Sequence, residues 1–223
     1  MACSCFGQFG STTLGVKTSQ GVVLGVEKKL QSSKLMISQA KSEKLVEIDR
    51  HCACAMSGIV SDARILIDHA RVESQNHTFN FNEPMGIEPI TQAISDLAIN
   101  FGEGSEGQKR KPISRPYGVG LLIGGVDERG PQLYATDPSG TYCQWKANAI
   151  GSGQETALNT IKEQYHADMT LEEAEKMILQ VLKNVMEDPI SKDNVEVCLI
   201  PKETKQIEFR STEQLEAKIS TLA

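Results

Sequence analysis

The sequence predicts an α+β fold, a four-layer α/β/β/α sandwich in which two antiparallel sheets face each other and a helix pair covers each. Hydrophobic periodicity indicates the order strands, two helices, strands, two helices, strands. Short connections between these elements allow every apolar face to be buried in that arrangement. The 223 residues also suffice for one sizeable core. We therefore expect a single domain over residues 11–223, preceded by a leader at residues 1–10.

Four strands are predicted in the first part of the chain. Each is short, rich in apolar or β-branched residues, and bounded by a turn or a charged pair. The predicted ranges are 11–17, 22–27, 44–48 and 52–57. The turn at 18–21 makes the first two strands a hairpin, and Asp49-Arg50 connects the other two.

Two helices are predicted next, because the spacing of apolar residues lengthens after Gly58. The first covers residues 60–76, with Ser61-Asp62 as its starting signal. Its apolar face comprises Val60, Ala63, Ile67, Ala70 and Arg71. The second covers residues 87–101 and has an amphipathic pattern. The segment 102–112 is then expected to be an exposed polar loop.

Residues 114–153 contain three apolar runs separated by a charged Gly-Pro turn and an Asp-Pro-Ser-Gly turn. This pattern predicts consecutive strands of one antiparallel meander. Several glycines lie within or beside these strands, where they weaken a strand and fill no volume. We therefore expect close packing of another part of the structure against the backbone here.

The last part of the chain is predicted to add the second helix pair and the closing strands. The helices cover about 154–166 and 171–186, and Thr170 with Glu173 forms a capping box for the second. The closing elements are strands at 193–200 and 206–209 and a short helix at 212–219.

The charge and hydropathy of the chain exclude several classes of function. The formal net charge is −6, so no basic excess is available to bind nucleic acid or an anionic membrane surface. The basic run Lys109-Arg110-Lys111 is interpreted as part of a solvated loop. No stretch has the length of a membrane span, and no secretory signal is recognisable. We expect an intracellular protein with neither nucleic-acid nor membrane partners.

The six cysteines do not suggest a disulfide framework in a chain of this length. Cys52 and Cys54 are two residues apart on one face of a predicted strand, so we interpret them as buried core thiols. No second Cys or His pair at ligand spacing accompanies them, and no metal site or cofactor is expected.

A series of short segments between Gly10 and the final helix is weak motif by motif, but its order over roughly 210 residues is specific. The segments include Gly10-Ser11-Thr12, Glu43-Lys44-Leu45-Val46-Glu47-Ile48-Asp49, Met56-Ser57-Gly58, Gln75-Asn76-His77, Arg115-Pro116-Tyr117-Gly118-Val119, Gly124-Gly125-Val126-Asp127 and Asp137-Pro138-Ser139-Gly140-Thr141. In these segments and their order the sequence resembles the proteasome alpha-type subunits, most of all those of the alpha-five class.

The resemblance implies the N-terminal-nucleophile hydrolase fold and a structural role without proteolysis. It implies membership of a seven-membered alpha ring that is stacked on a catalytic beta ring in the 20S core particle. The implied partners are other alpha subunits, beta-ring subunits and the C-terminal tails of regulatory particles. The implied role is in substrate entry and ubiquitin-dependent protein degradation, in the cytoplasm and nucleus.

The resemblance also implies a binding site for the tails of activators. Lys44 matches the family's pocket lysine, which pairs with the carboxylate of an inserted tail. An ammonium on a mobile stem suits a lone carboxylate whose partner varies. Gly10, Gly58 and Ile59 match the positions that wall this pocket. By itself, Lys44 would be interpreted as a solvated lysine at a strand end.

A self-processing peptidase is the alternative. Active members of this fold use an N-terminal Thr, Ser or Cys whose own amine is the base, and Ser11 occupies that position if the leader is removed. The supporting residues would be Glu27, Lys44, Ser152, Asp188 and Ser191. Glu27 is one methylene longer than the aspartate of active members, and a displacement of about 1 Å can lower a rate roughly a hundredfold.

The N-terminus departs from the family pattern. Alpha subunits usually begin with a Tyr-Asp-Arg gate segment, a Ser-Pro turn and an amphipathic helix, whereas this chain has a divergent leader at residues 1–10. This departure leaves open whether the chain gates a channel or assembles into an ordinary ring. A stand-alone binding module is a third class of function, which a persistently monomeric chain would indicate.

Overall fold

The computed structural model describes residues 10–28, 43–100 and 115–221 and consists of two five-stranded antiparallel sheets and five helices. The strands are β1 (Thr13–Lys17), β2 (Gly21–Glu27), β3 (Leu45–Asp49), β4 (Cys52–Gly58), β5 (Val119–Asp127), β6 (Gly130–Thr136), β7 (Tyr142–Gln144), β8 (Ala147–Ile150), β9 (Val195–Pro201) and β10 (Glu208–Phe209). The helices are α1 (Val60–Phe81), α2 (Ile87–Ala98), α3 (Gln154–Gln164), α4 (Leu171–Val185) and α5 (Thr212–Ser220).

The two sheets confirm the predicted four layers. One sheet has the strand order β10-β9-β2-β1-β8 and the other β3-β4-β5-β6-β7. Helices α3 and α4 pack on the first sheet, and α1 and α2 pack on the second. A third apolar cluster lies between the sheets and includes Val22, Leu24, Leu122 and Leu133. Strand β2 is buried along its whole length because both of its faces are covered.

The predicted meander is only partly correct. Strands β5, β6 and β7 are consecutive neighbours in one sheet, but β8 pairs with β1 of the other sheet, with Thr13 opposite Ile150. The reason is that β7 is only three residues long and largely exposed, whereas Asn148 and Ala149 in β8 are buried. The expected close packing is confirmed at Gly124, where a Cβ atom would lie 2.8 Å from Val22 Cγ1 of the facing sheet.

Helix α1 begins at Val60, as predicted, but it extends beyond its predicted end. It extends past the predicted end at residue 76 to Phe81, where Asn82 adopts a left-handed conformation (φ 55°) and donates its N–H to the Thr78 carbonyl. At its start the cap residue is Ile59, without a side-chain cap, so Ser61 and Asp62 do not begin the helix. Arg71, predicted on the apolar face, is half-buried and donates two hydrogen bonds to the Glu47 carbonyl.

The remaining helices and the cysteines follow the sequence prediction more closely. The capping box of Thr170 and Glu173 at the start of α4 is present in both directions. Cys52 and Cys54 are fully buried, and burial raises the pKa of both thiols.

Within residues 10–28, 43–100 and 115–221, no group of three or more potential ligands is placed to hold a metal. No helix in these ranges is long and apolar enough to cross a bilayer.

Three predictions fall on residues that lie outside the described ranges. They are most of the leader at residues 1–10, the polar loop at 102–112 and its basic run Lys109-Arg110-Lys111.

Candidate functional site

The four residues predicted to bind an activator tail lie together at one end of the sandwich. Lys44 directly precedes β3, and its carbonyl accepts a hydrogen bond from the N–H of Met56 near the end of β4 (3.0 Å). Gly58 is the last residue of β4, and Ile59 is the cap residue of α1. The antiparallel pairing of β3 and β4 therefore places the lysine near the end of β4, where Gly58 and Ile59 lie.

The side chain of Lys44 contacts the segment that leads into β1. Its Nζ donates a hydrogen bond to Ser11 Oγ, 2.5 Å away, and its backbone N–H donates to Glu196 Oε2 (3.4 Å). Lys44 is half-buried, whereas Ser11 is buried. The lysine thus lies at the rim of the site, with its ammonium held against a buried serine.

Gly10 allows this segment to pass close to the end of β4. A Cβ atom on Gly10 would lie 2.0 Å from Ser57 Oγ and 2.6 Å from the backbone nitrogen of Gly58. Any larger residue would displace the backbone of β4. The Gly10 carbonyl accepts a hydrogen bond from the N–H of Ser152 (2.9 Å), which fixes the segment from the other side.

Ile59 supplies an apolar surface beside these polar groups. Ile59 is 46% exposed. Its N–H donates to the Gly118 carbonyl (2.9 Å), and its Cδ1 lies 2.8 Å from the position that a Cβ on Gly118 would occupy. The site therefore combines an ammonium, two glycines at which backbone segments pack closely, and an exposed aliphatic side chain.

Asp62 connects the start of α1 to the segment before β5. Its carboxylate accepts two hydrogen bonds from the Arg115 guanidinium (2.7 and 3.0 Å) and one from the N–H of Gly118 (2.9 Å). The bidentate geometry is the strong form of such a pair. Because Gly118 also binds Ile59, this pair orients the wall of the site.

The variant Asp62→Asn is expected to lower the free energy of unfolding by roughly 1–3 kcal/mol at pH 7. The hydrogen bond from Arg115 lowers the pKa of Asp62, burial opposes this, and the Gly118 N–H lowers it further. A lowered pKa stabilises the fold above the unfolded-state pKa of about 3.9, and this stabilisation disappears as the pH falls through the folded-state pKa. The difference in the free energy of unfolding between wild type and variant should therefore shrink as the pH is lowered.

Urea unfolding of both proteins between pH 7 and pH 3 measures this effect. A stability difference that stayed constant over that range would contradict the assigned role of the carboxylate.

The residues of the alternative peptidase site are only partly brought together. The Lys44 ammonium contacts the hydroxyl of Ser11. The Glu27 carboxylate accepts a hydrogen bond from the backbone N–H of the next residue, Thr12 (2.9 Å). Asp188 is exposed in the turn after α4, where the N–H of Ser191 donates to the side chain of Asn194 (2.7 Å). The remaining supporting residue, Ser152, reaches this segment through its backbone N–H.

A nucleophile of this fold needs a free α-amine as its base. In the chain as it stands, the nitrogen of Ser11 is an amide bonded to Gly10, so it cannot act as that base.

Two residues of the site were missed by the sequence analysis. The buried hydroxyl of Ser57 donates to the Ser11 carbonyl (2.9 Å), and Gly118 accepts the N–H of Ile59. Both lie in segments that match the family, Met56-Ser57-Gly58 and Arg115-Pro116-Tyr117-Gly118-Val119. The motifs marked the segments, but the sequence alone did not indicate which residues face Ser11 and Ile59.

Comparison with known proteins places these features in a family. The sequence profile described as "Proteasome subunit" matches residues 8–200. A "Probable proteasome subunit alpha type-5" of Schizosaccharomyces pombe is 55% identical over 88% of this chain and 78% of its own length. The proteins named "Proteasome subunit alpha type-5" of Dictyostelium discoideum and Trypanosoma brucei brucei are 49% and 45% identical, over 94% and 97% of this chain and 86% of their own lengths. The chain therefore belongs to the proteasome subunit family.

Proposed function

We propose that the protein is a non-catalytic alpha-ring subunit of the 20S proteasome core particle, with a role in ring assembly, substrate entry and the docking of regulatory particles in ubiquitin-dependent protein degradation. The observation that carries this proposal is the 45–55% identity to proteins named alpha type-5, which extends over 88–97% of the chain. The protein acts in the cytoplasm and nucleus, where it assembles with other alpha subunits and with beta-ring subunits.

Native mass spectrometry of the endogenous complex tests this assignment. The chain is expected in a particle that also contains other alpha subunits and beta-ring subunits. A chain that stayed monomeric when co-expressed with other alpha subunits would contradict ring membership and favour a stand-alone binding module.

The end of the sandwich that carries Lys44 is the docking site for the C-terminal tail of a regulatory particle. The chemistry supports this role, because an ammonium can pair with the terminal carboxylate of an inserted tail. The exposed side chain of Ile59 offers an apolar contact to the residues before the carboxylate.

The variant Lys44→Ala is expected to weaken docking at this subunit roughly 10- to 100-fold while leaving the fold intact. Loss of a hydrogen bond to a charged group is worth about 1.5–3 kcal/mol, and each 1.4 kcal/mol corresponds to about a factor of ten. Pull-down of a purified regulatory particle by the assembled core particle measures the change. Unchanged binding at this pocket would contradict the role of Lys44.

The matched control is Lys162→Ala, which removes an exposed lysine from α3. It has the same change in net charge and should leave docking unaffected. A tail peptide with an amidated C-terminus provides a second control, since it should bind Lys44→Ala and wild-type rings equally.

The peptidase alternative makes a different prediction for the N-terminus. Intact-mass measurement of the purified subunit distinguishes the two functions. A chain that still carries residues before Ser11 agrees with the non-catalytic role, whereas a mature chain that begins at Ser11 would favour self-processing.

A further inference from the structure

We propose that Ser11 is a positioning residue for tail binding, which holds the ammonium of Lys44 in the place where an incoming carboxylate meets it. This inference rests on the proposed function of the Lys44 site. It adds a role for a side chain that otherwise matters only as the nucleophile of the peptidase alternative.

The contact itself is short and directional. Ser11 Oγ accepts a hydrogen bond from Lys44 Nζ at 2.5 Å, between a half-buried lysine and a serine that is 3% exposed. An ammonium has no acceptor, so in this bond the hydroxyl of Ser11 accepts. The hydroxyl oxygen of Ser11 therefore holds the ammonium of the flexible Lys44 side chain in one position.

The backbone around Ser11 is held by hydrogen bonds on each side. The Ser11 carbonyl accepts from the hydroxyl of Ser57 (2.9 Å), and the preceding carbonyl, of Gly10, accepts from the N–H of Ser152 (2.9 Å). The following N–H, of Thr12, donates to Glu27 Oε2 (2.9 Å). These bonds come from three separate segments, so the position of the Ser11 oxygen is set by the fold.

A fixed acceptor helps binding because lysine is costly to order. Its four-carbon stem has several rotatable bonds, and a partner must restrict them before a salt bridge forms. A hydrogen bond to Ser11 restricts them in advance, which is preorganisation of the site. A hydroxyl is neutral, so the hydrogen bond to Ser11 does not itself neutralise the positive charge that would attract the carboxylate.

The variants Ser11→Ala and Ser11→Cys test the proposal. Both remove the hydroxyl acceptor, and cysteine leaves a weaker sulfur acceptor in its place. Each is expected to weaken docking of the regulatory particle to the assembled core particle roughly 2- to 10-fold, because one lysine side chain must be ordered during binding. The loss should be smaller than that of Lys44→Ala.

A double-mutant cycle separates positioning from a general structural effect. If Ser11 acts through Lys44, then adding Ser11→Ala to Lys44→Ala should change docking no further. An equal loss in both backgrounds would overturn the proposal, because the serine would then act independently of the lysine. Should Ser11→Ala fail to assemble, the same cycle with Ser11→Cys decides.

Ser220→Ala is the matched control. Ser220 is exposed on α5, away from the Lys44 site, and its hydroxyl donates to the Ala217 carbonyl of the same helix. Docking should therefore be unchanged. If Lys44→Ala itself has no effect, the proposed tail site fails; if Lys44→Ala weakens docking but both Ser11 variants bind like wild type, only the role of Ser11 fails.

Discussion

Replacing both Arg210 and Lys218 by methionine is expected to lower the free energy of unfolding by roughly 3–5 kcal/mol. Both cations pair with Glu175 on α4, whose side chain is completely buried. The guanidinium of Arg210 donates two hydrogen bonds of 3.1 Å, one to each carboxylate oxygen, and Lys218 donates to the second oxygen. Without these partners the Glu175 carboxylate would be buried with no compensating charge, and burial of an unpaired charge strongly destabilises the folded state.

Urea unfolding of the purified chain at pH 7 measures this loss. A triple variant that also carries Glu175→Met should recover most of the stability, because it removes the buried charge together with its partners. The variant Lys192→Met is the control for loss of a surface pair: Lys192 and Glu216 are 41% and 63% exposed, and such a pair contributes about 0–1 kcal/mol. Equal losses in the double variant and this control would contradict the argument.

The Glu175 cluster is also an example of what the sequence could not predict. The pattern of α4 predicted an amphipathic helix and its first residue, but a glutamate there is expected to face water. Its partners come 35 and 43 residues later, from the end of β10 and from α5. The three side chains are brought together by the tertiary packing of the C-terminal segment that contains Arg210 and α5, and no local periodicity encodes that packing.

Local features were predicted well because their causes are local. The capping box needs only Thr170 and Glu173, and both of its hydrogen bonds are present. Most strands and helices begin or end within a few residues of their predicted limits for the same reason. The position of β8 in the first sheet has a nonlocal cause. The sequence of Ala147–Ile150 would suit either sheet, and its backbone pairing with β1 places it in the first.

The candidate site shows the same division between local and nonlocal information. The resemblance selected Lys44, Gly10, Gly58 and Ile59 by motif, and the structure places them at one end of the sandwich. The motifs did not indicate the contacts that organise the site. The hydroxyl of Ser11 and the carbonyl of Gly118 act through hydrogen bonds that join segments 33 to 59 residues apart.

The variant Gly58→Ala is expected to lower the free energy of unfolding by roughly 2–5 kcal/mol and to weaken tail docking with it. Gly58 has φ +125°, a conformation that residues with a Cβ rarely adopt. A Cβ there would also lie 2.4 Å from the carbonyl oxygen of Gly118. The same oxygen accepts a hydrogen bond from the N–H of Ile59, the cap residue of α1. Relief of that clash must move either β4 or the segment before β5.

Gly130→Ala separates the two causes of this loss. Gly130 also has a positive φ, of +102°, but a Cβ there would meet no atom within 4 Å. This control should therefore show backbone strain alone, roughly 1–3 kcal/mol, and should leave docking unchanged. Thermal and urea unfolding of both variants measure the difference. Equal destabilisation would mean that the contact with Gly118 tolerates a methyl group, and the close approach at the end of β4 would then not explain why glycine occupies this position.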